Sequence, residues 1–373
     1  MNYKKLIISF IIIAAVVTGI VVSKNHKIES TGQPIKIGAA LGLTGDASTW
    51  AEMSLKGAQM AVDELNAKGG VNGNNIELVV EDTKSTAAGS ISAVQKLISI
   101  DNVSSILGPT WLDVYPGAQG TVSGKNIIMM SPDAGAEAIS TPNAYENVFS
   151  SWYRSQPKAE LFAKHLQDTG VKRLDIIVQN DAYYTDLSNR IETESKKLGI
   201  EIVRKELING GDADFRTLVT KIKSDNADMV FAALYDQKAI DAFFKNRSQL
   251  YPDMKLSSDE FGQDYVDNPD FAKLVNNMSF FSATRQDDSF EVKFKEKYNE
   301  VPKFGASNSY DTIMILAQAL EKDRDHLAEY ISKTEFNTVT FGKMRFDDVH
   351  GATTNNTTYV MKQVVDGVVK IIK

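Results

Sequence analysis

Six segments of the chain place carboxylates, most of them beside aromatic rings, just after short apolar runs. They are Thr44-Gly45-Asp46-Ala47-Ser48-Thr49-Trp50, Gly108-Pro109-Thr110-Trp111-Leu112-Asp113, Ser131-Pro132-Asp133-Ala134-Gly135, Asn180-Asp181-Ala182-Tyr183-Tyr184, Tyr235-Asp236 and Asp259-Glu260. Aromatic faces give a small solute an apolar wall and attract a cation through the ring quadrupole, while a fixed carboxylate orients a donor or an ammonium. The chemistry these residues suit is recognition; the bland alternative is solvated turns with aromatics plugging the ends of a core. Bond-making motifs are missing. Gly38 to Gly45 does not have the G-x-G-x-x-G spacing, and Gly124-Lys125-Asn126 lacks the spacing and hydroxyl of a phosphate loop. Neither a G-x-S-x-G elbow nor an H-E-x-x-H pair occurs. Asp212 and Asp214 lack the glycine and closing glutamate of a calcium loop and read better as helix caps. No residue is a candidate nucleophile or base, so no enzyme, cofactor or metal is expected.

Carboxylates and rings at such places need rigid elements behind them. From Ile35 onward a short apolar run, a turn and an amphipathic stretch recur: strands over 35–41, 76–80, 103–107 and 127–131, with helices over 53–68 and 87–100 between them. The rhythm restarts with strands at 174–179, from 200 and at 229–234, and helices to 198 and over 215–224. Short apolar strands alternating with helices are what a buried parallel sheet requires, since crossover helices cover both of its faces. The pattern predicts two doubly wound, Rossmann-like α/β lobes, with ligands beyond the carboxyl ends of the strands.

Composition agrees with that scale. A chain of 373 residues, 43% hydrophobic, has material for two cores, and its formal charge of −7 argues against a coat for nucleic acid or anionic membrane. With no cysteine, disulfides and thiolate sites are excluded, and His26, His165, His326 and His350 are too dispersed for a histidine metal centre. Lys4 and Lys5 precede an apolar run from Leu6 to Val22. This is the order of a secretory signal, at the short end of a membrane span. Residues 1–34 are therefore expected to be a signal peptide or an uncleaved anchor plus tether, and the body to lie outside the cytoplasm, in the periplasm or at the outer face of the membrane.

Ile35-Lys36-Ile37-Gly38, Thr44-Gly45-Asp46, the block from Lys56 to Asn66, Gly69-Gly70-Val71-Asn72-Gly73, Glu81-Asp82, Ile106-Leu107-Gly108-Pro109, Ser309-Tyr310-Asp311 and Gly342 to Asp347 together resemble the branched-chain amino-acid binding proteins of ABC importers, of the type I periplasmic binding fold. The resemblance implies lobe 1 over 35–150 and 284–355, lobe 2 over 151–283 and 356–373, and a three-segment hinge between them. It implies a solute-binding protein that takes an amino acid or related amine-bearing molecule between its lobes and delivers it to an ABC permease. A receptor ectodomain reporting to a membrane partner would use the same fold. Glu260 resembles the family's acidic partner for the ligand ammonium, Tyr183 and Tyr235 the second-lobe aromatics, and Trp50 a first-lobe aromatic. Where the family grips a carboxylate with serines and a threonine, this chain has Trp111, Leu112 and Asp113, and then Gly135. Asp113 and Asp133 would oppose a carboxylate there. The expected ligand carries an amine and is not leucine-like.

Overall fold

The computed structural model describes residues 32–135, 145–152, 154–209, 214–260, 262–271, 273–283, 288–353 and 359–372. The apolar run 6–22 and the chain crossings expected near 284 and 355 lie outside the described residues. Among the described residues, no helix is long and apolar enough to cross a membrane.

The first sheet contains β1 (Ile35–Leu41), β2 (Ile76–Asp82), β3 (Ser105–Leu107), β4 (Ile128–Ser131) and β5 (Val148–Ser150), all parallel, in the order β2-β1-β3-β4-β5. The second is built on β6 (Arg173–Gln179), β7 (Glu201–Ile208), β8 (Met229–Ala233), β9 (Leu256–Ser258) and β10 (Ser279–Ala283). A small antiparallel sheet of β11 (Phe336–Thr338), β12 (Gly342–Phe346) and β13 (Ala352–Thr353) is followed by β14 (Tyr359–Val365) and β15 (Val368–Ile372). These last two strands return to the second sheet, giving the order β15-β14-β10-β9-β8-β6-β7 with an antiparallel edge. Two doubly wound lobes are thus what the sequence predicts and what the chain forms.

Local sequence explains why the central strands are buried on both faces. In β1 every residue but Lys36 is buried, and β6 carries Leu174, Ile176, Ile177 and Val178 inward to both sides. Helices Ser48–Ala67 and Ala306–Lys322 cover one face of the first sheet, and helix Ala87–Ser99 the other. The first two pack so closely that a Cβ on Gly57 would collide with the Ala306 carbonyl. Helix Ser48–Ala67 begins five residues before the predicted start at Met53, because its entry turn is tied down. Asp82 accepts from the Thr44 amide at 3.2 Å and its hydroxyl at 2.6 Å, and the Ala47 amide donates to Ser85 at 3.1 Å. This early start delivers Trp50 to the carboxyl end of the sheet.

Candidate functional site

The carboxyl ends of β1, β3, β4, β6, β8 and β9 converge on one cleft between the two sheets. Ala47, Trp50, Thr110, Trp111, Leu112, Asp133, Trp152 and Phe304 line it from the first, and Asp181, Tyr183, Tyr184, Tyr235 and Glu260 from the second side. The cleft encloses about 540 Å³ of empty space, its open mouth included. All three tryptophans of the chain stand in its wall. Trp50 meets Tyr235 edge-on across the cleft at 5.2 Å between ring centroids, and Trp152 meets Phe304 at 5.0 Å. Tyr184 stacks with Tyr235 at 6.1 Å. Edge-on and stacked rings hold one another in place, so the aromatic box has its shape before anything enters it.

Of the residues singled out in the sequence, Trp50, Trp111, Asp133, Tyr183, Tyr235 and Glu260 are brought together in this wall. Asp113 and Gly135 are not. Asp113 is exposed beside the cleft, where its Oδ1 accepts the Ala182 amide at 3.1 Å and so ties the first sheet's loop to the N-terminus of helix Ala182–Lys197. Gly135 is buried beyond Ala134.

The acidic groups are anchored in different ways. Asp133 Oδ1 accepts the Trp111 amide at 2.9 Å and the Ser131 hydroxyl at 3.1 Å. Trp111 takes φ +81° to make this bond, a conformation that a bulky side chain seldom adopts outside functional sites. Burial pushes the Asp133 carboxyl up to about 6 against these hydrogen bonds. Asp181 caps helix Ala182–Lys197 through the Tyr184 amide at 2.7 Å; burial, with the Asp113 charge adding, pushes it up to about 7. Burial also raises the Tyr183 and Tyr184 hydroxyls well above the usual phenol range.

Glu260 differs most from its sequence expectation. Its Oε1 is taken by Lys158, whose Nζ lies 2.5 Å away and also donates to the Tyr183 hydroxyl at 2.9 Å; that hydroxyl in turn donates to Oε1 at 3.1 Å. Lys158 is fully buried, with the rings of Trp152 and Tyr183 each 5.1 Å from its ammonium. Glu260 Oε2 is buried with no hydrogen-bond partner among the described residues. An ammonium is thus already present where the ligand's was expected.

Lys158, Trp152 and Phe304 were not singled out in the sequence, and Asp181 and Tyr184 only as members of the loop Asn180 to Tyr184. Lys158 had a legible signal. On helix Ser155–Asp168 the buried residues are Ser155, Lys158, Ala159, Phe162, Ala163, His165 and Leu166, so a lysine sits on the same buried stripe as Ala159, Phe162 and Leu166. Phe304 had none, since it precedes a helix in an irregular turn. Among the described residues, no group of three or more histidine, aspartate or glutamate side chains could hold a metal ion.

Residues 34–367 match the family model described as periplasmic binding protein. The chain is 27% identical over 300 residues to the Leu/Ile/Val-binding protein BraC3 of Rhizobium johnstonii, covering 77% of this chain and 79% of that one. It is 23% identical over 329 residues to the leucine-, isoleucine-, valine-, threonine- and alanine-binding protein of Pseudomonas aeruginosa, covering 84% and 86%. The branched-chain amino acid transporter substrate-binding protein LivJ of Streptococcus pneumoniae, solved with isoleucine, superposes with a TM-score of 0.77 at 25% identity, covering 91% of this chain and 99% of that one.

Proposed function

Because the chain belongs to the periplasmic binding protein family, whose members bind solutes without transforming them, we propose that it is the extracytoplasmic solute-binding protein of an ABC importer, taking an amine-bearing small molecule between its lobes. The observation that carries this reading is a single cleft whose walls come from both sheets, with seven aromatic side chains and the carboxylates Asp133, Asp181 and Glu260. A solute that touches both sides stabilises the closed arrangement by its differential affinity for it. Closure is the signal a permease reads. Lobe 1 (35–150, 284–355) and lobe 2 (151–283, 356–373) are the two moving bodies, and the membership of β1–β5 and of β6–β10 with β14–β15 in separate sheets supports that division. Residues 6–22 serve as the leader or anchor that puts the body outside the cytoplasm, in keeping with their apolar, lysine-flanked sequence.

A calorimetric screen of amines, polyamines, amides and amino acids, paired with small-angle scattering, tests this. At least one amine should bind and make the particle more compact. Binding confined to leucine, isoleucine or valine would refute the amine preference, and unchanged scattering with a tightly held solute would refute closure.

A further inference from the structure

Each half of an amino acid's zwitterion has a natural partner in this cleft, and the protein already occupies both. An incoming ammonium would seek Glu260 Oε1 and the Tyr183 hydroxyl, the acceptors at that end of the box. Lys158 holds them, at 2.5 Å and 2.9 Å, from a position with no solvent exposure. An incoming carboxylate would seek the Trp111 amide and the Ser131 hydroxyl, and Asp133 Oδ1 accepts from both. The single Ser131 proton is shared between Asp133 Oδ1 and the Pro109 carbonyl, 2.8 Å away, and the Ser131 oxygen accepts from the Ala134 amide at 3.1 Å. We propose that Lys158 and Asp133 are resident stand-ins for the ammonium and carboxylate of an amino acid, which makes the cleft selective for a small organic cation that carries no carboxylate.

What the wall still offers fits that class. Glu260 Oε2 is buried without a hydrogen-bond partner among the described residues, and the bonds from Trp111 and Ser131 to Asp133 both fall on Oδ1. Asp181 adds a third carboxylate, so the wall stays net negative after Lys158 is counted. Its remaining surface is mostly aromatic, with Ala47 and Leu112 beside the rings, which favours ammonium groups with apolar substituents. The hydroxyls of Thr110 and Tyr184 are neutral and offer a carboxylate no charge in return for facing three acids. Thr110 Oγ1 already accepts the Gly42 amide.

The inference rests on the amine reading above, and matched pairs separate the two. Isothermal titration of the full chain compares choline with glycine betaine, phenethylamine with phenylalanine, and isoamylamine with leucine. The expected result is that at least one amine binds and is preferred at least about tenfold over its carboxylate-bearing partner, the order of effect of one unpaired charge. Equal or tighter binding of the carboxylate-bearing member overturns the inference and leaves the amine reading standing. Silence from every compound overturns both. Asp133→Asn keeps the oxygen that accepts from Trp111 while removing the charge; it should weaken the amine about tenfold and narrow the gap within its pair, and an unchanged gap counts against Asp133. Lys158→Ala opens a cation-sized hole beside Glu260. Millimolar ethylammonium should raise the melting temperature of this variant by clearly more than it raises that of the wild type; no difference between the two counts against Lys158. Should Lys158→Ala not fold, the matched pairs on the wild type still decide.

Discussion

Trp50 and Tyr235 approach to 5.2 Å from opposite sides of the cleft, so on the proposed function each is both ligand wall and closing contact. Trp50→Ala should weaken binding about 10- to 100-fold by titration calorimetry while leaving the unliganded fold intact, because an aromatic anchor in a desolvated site carries a large share of affinity. The acids give a pH signature. Asp133 and Asp181, raised by burial to about 6 and about 7, face Asp113, Glu260 with Lys158, and the Tyr235 hydroxyl. A cation needs their ionised forms, so affinity should fall about tenfold or more between about pH 8 and about pH 5.5. Stability runs the other way. An acid whose folded pKa exceeds its unfolded value of about 4 holds a proton that the unfolded chain has released, and stability is lost as pH rises between the two values. Asp181→Asn keeps a capping side chain and drops that penalty, so in urea melts it should gain on the wild type as pH rises from about 5 to about 8. A flat difference across this range would mean that Asp181 titrates as an ordinary surface acid.

Among the elements, helices Ser48–Ala67 and Ala306–Lys322 fix where Trp50 and Phe304 stand, and their contact admits no side chain at Gly57. Gly57→Ala should cost about 1–3 kcal/mol in denaturant unfolding, because the helices must move apart. Unchanged stability would show that the two helices separate freely. A second element contact crosses the cleft: Asp113 meets the positive end of helix Ala182–Lys197. Asp113→Ala should weaken ligand binding about two- to fivefold, by lowering the closed population and without touching the box. The strands and helices themselves were legible because their signals are local. Ile35–Leu41 is recovered to the residue, and aromatic–acid loops after strands pointed to six residues of the wall. What escaped depends on distant segments. Helix Ser48–Ala67 starts early because Asp82 and Ser85 hold its entry turn; the placing of 356–373 with lobe 2 comes from the family resemblance and not from local pattern, since β14 and β15 join a sheet whose other strands end some 75 residues before them. Lys158 was readable as an oddity on an apolar stripe, but nothing near it in sequence names Glu260 as its partner.

On the scale of the whole molecule, two sheets share one cleft, and the chain passes between them more than once. On the proposed function, occupancy is thereby converted into a change of shape. The radius of gyration should fall when a bound cation is added, and Trp50→Ala should abolish that fall at ligand concentrations that saturate the wild type. The placement of the chain's indoles gives this molecule one more property. Trp50, Trp111 and Trp152 all stand in the wall of the cleft, and no other indole exists elsewhere to contribute a constant background. Ultraviolet emission excited near the red edge of the absorption band therefore comes wholly from the cleft proposed to bind the solute. An unlabelled sample reports its own loading, in real time, by the colour and intensity of its light.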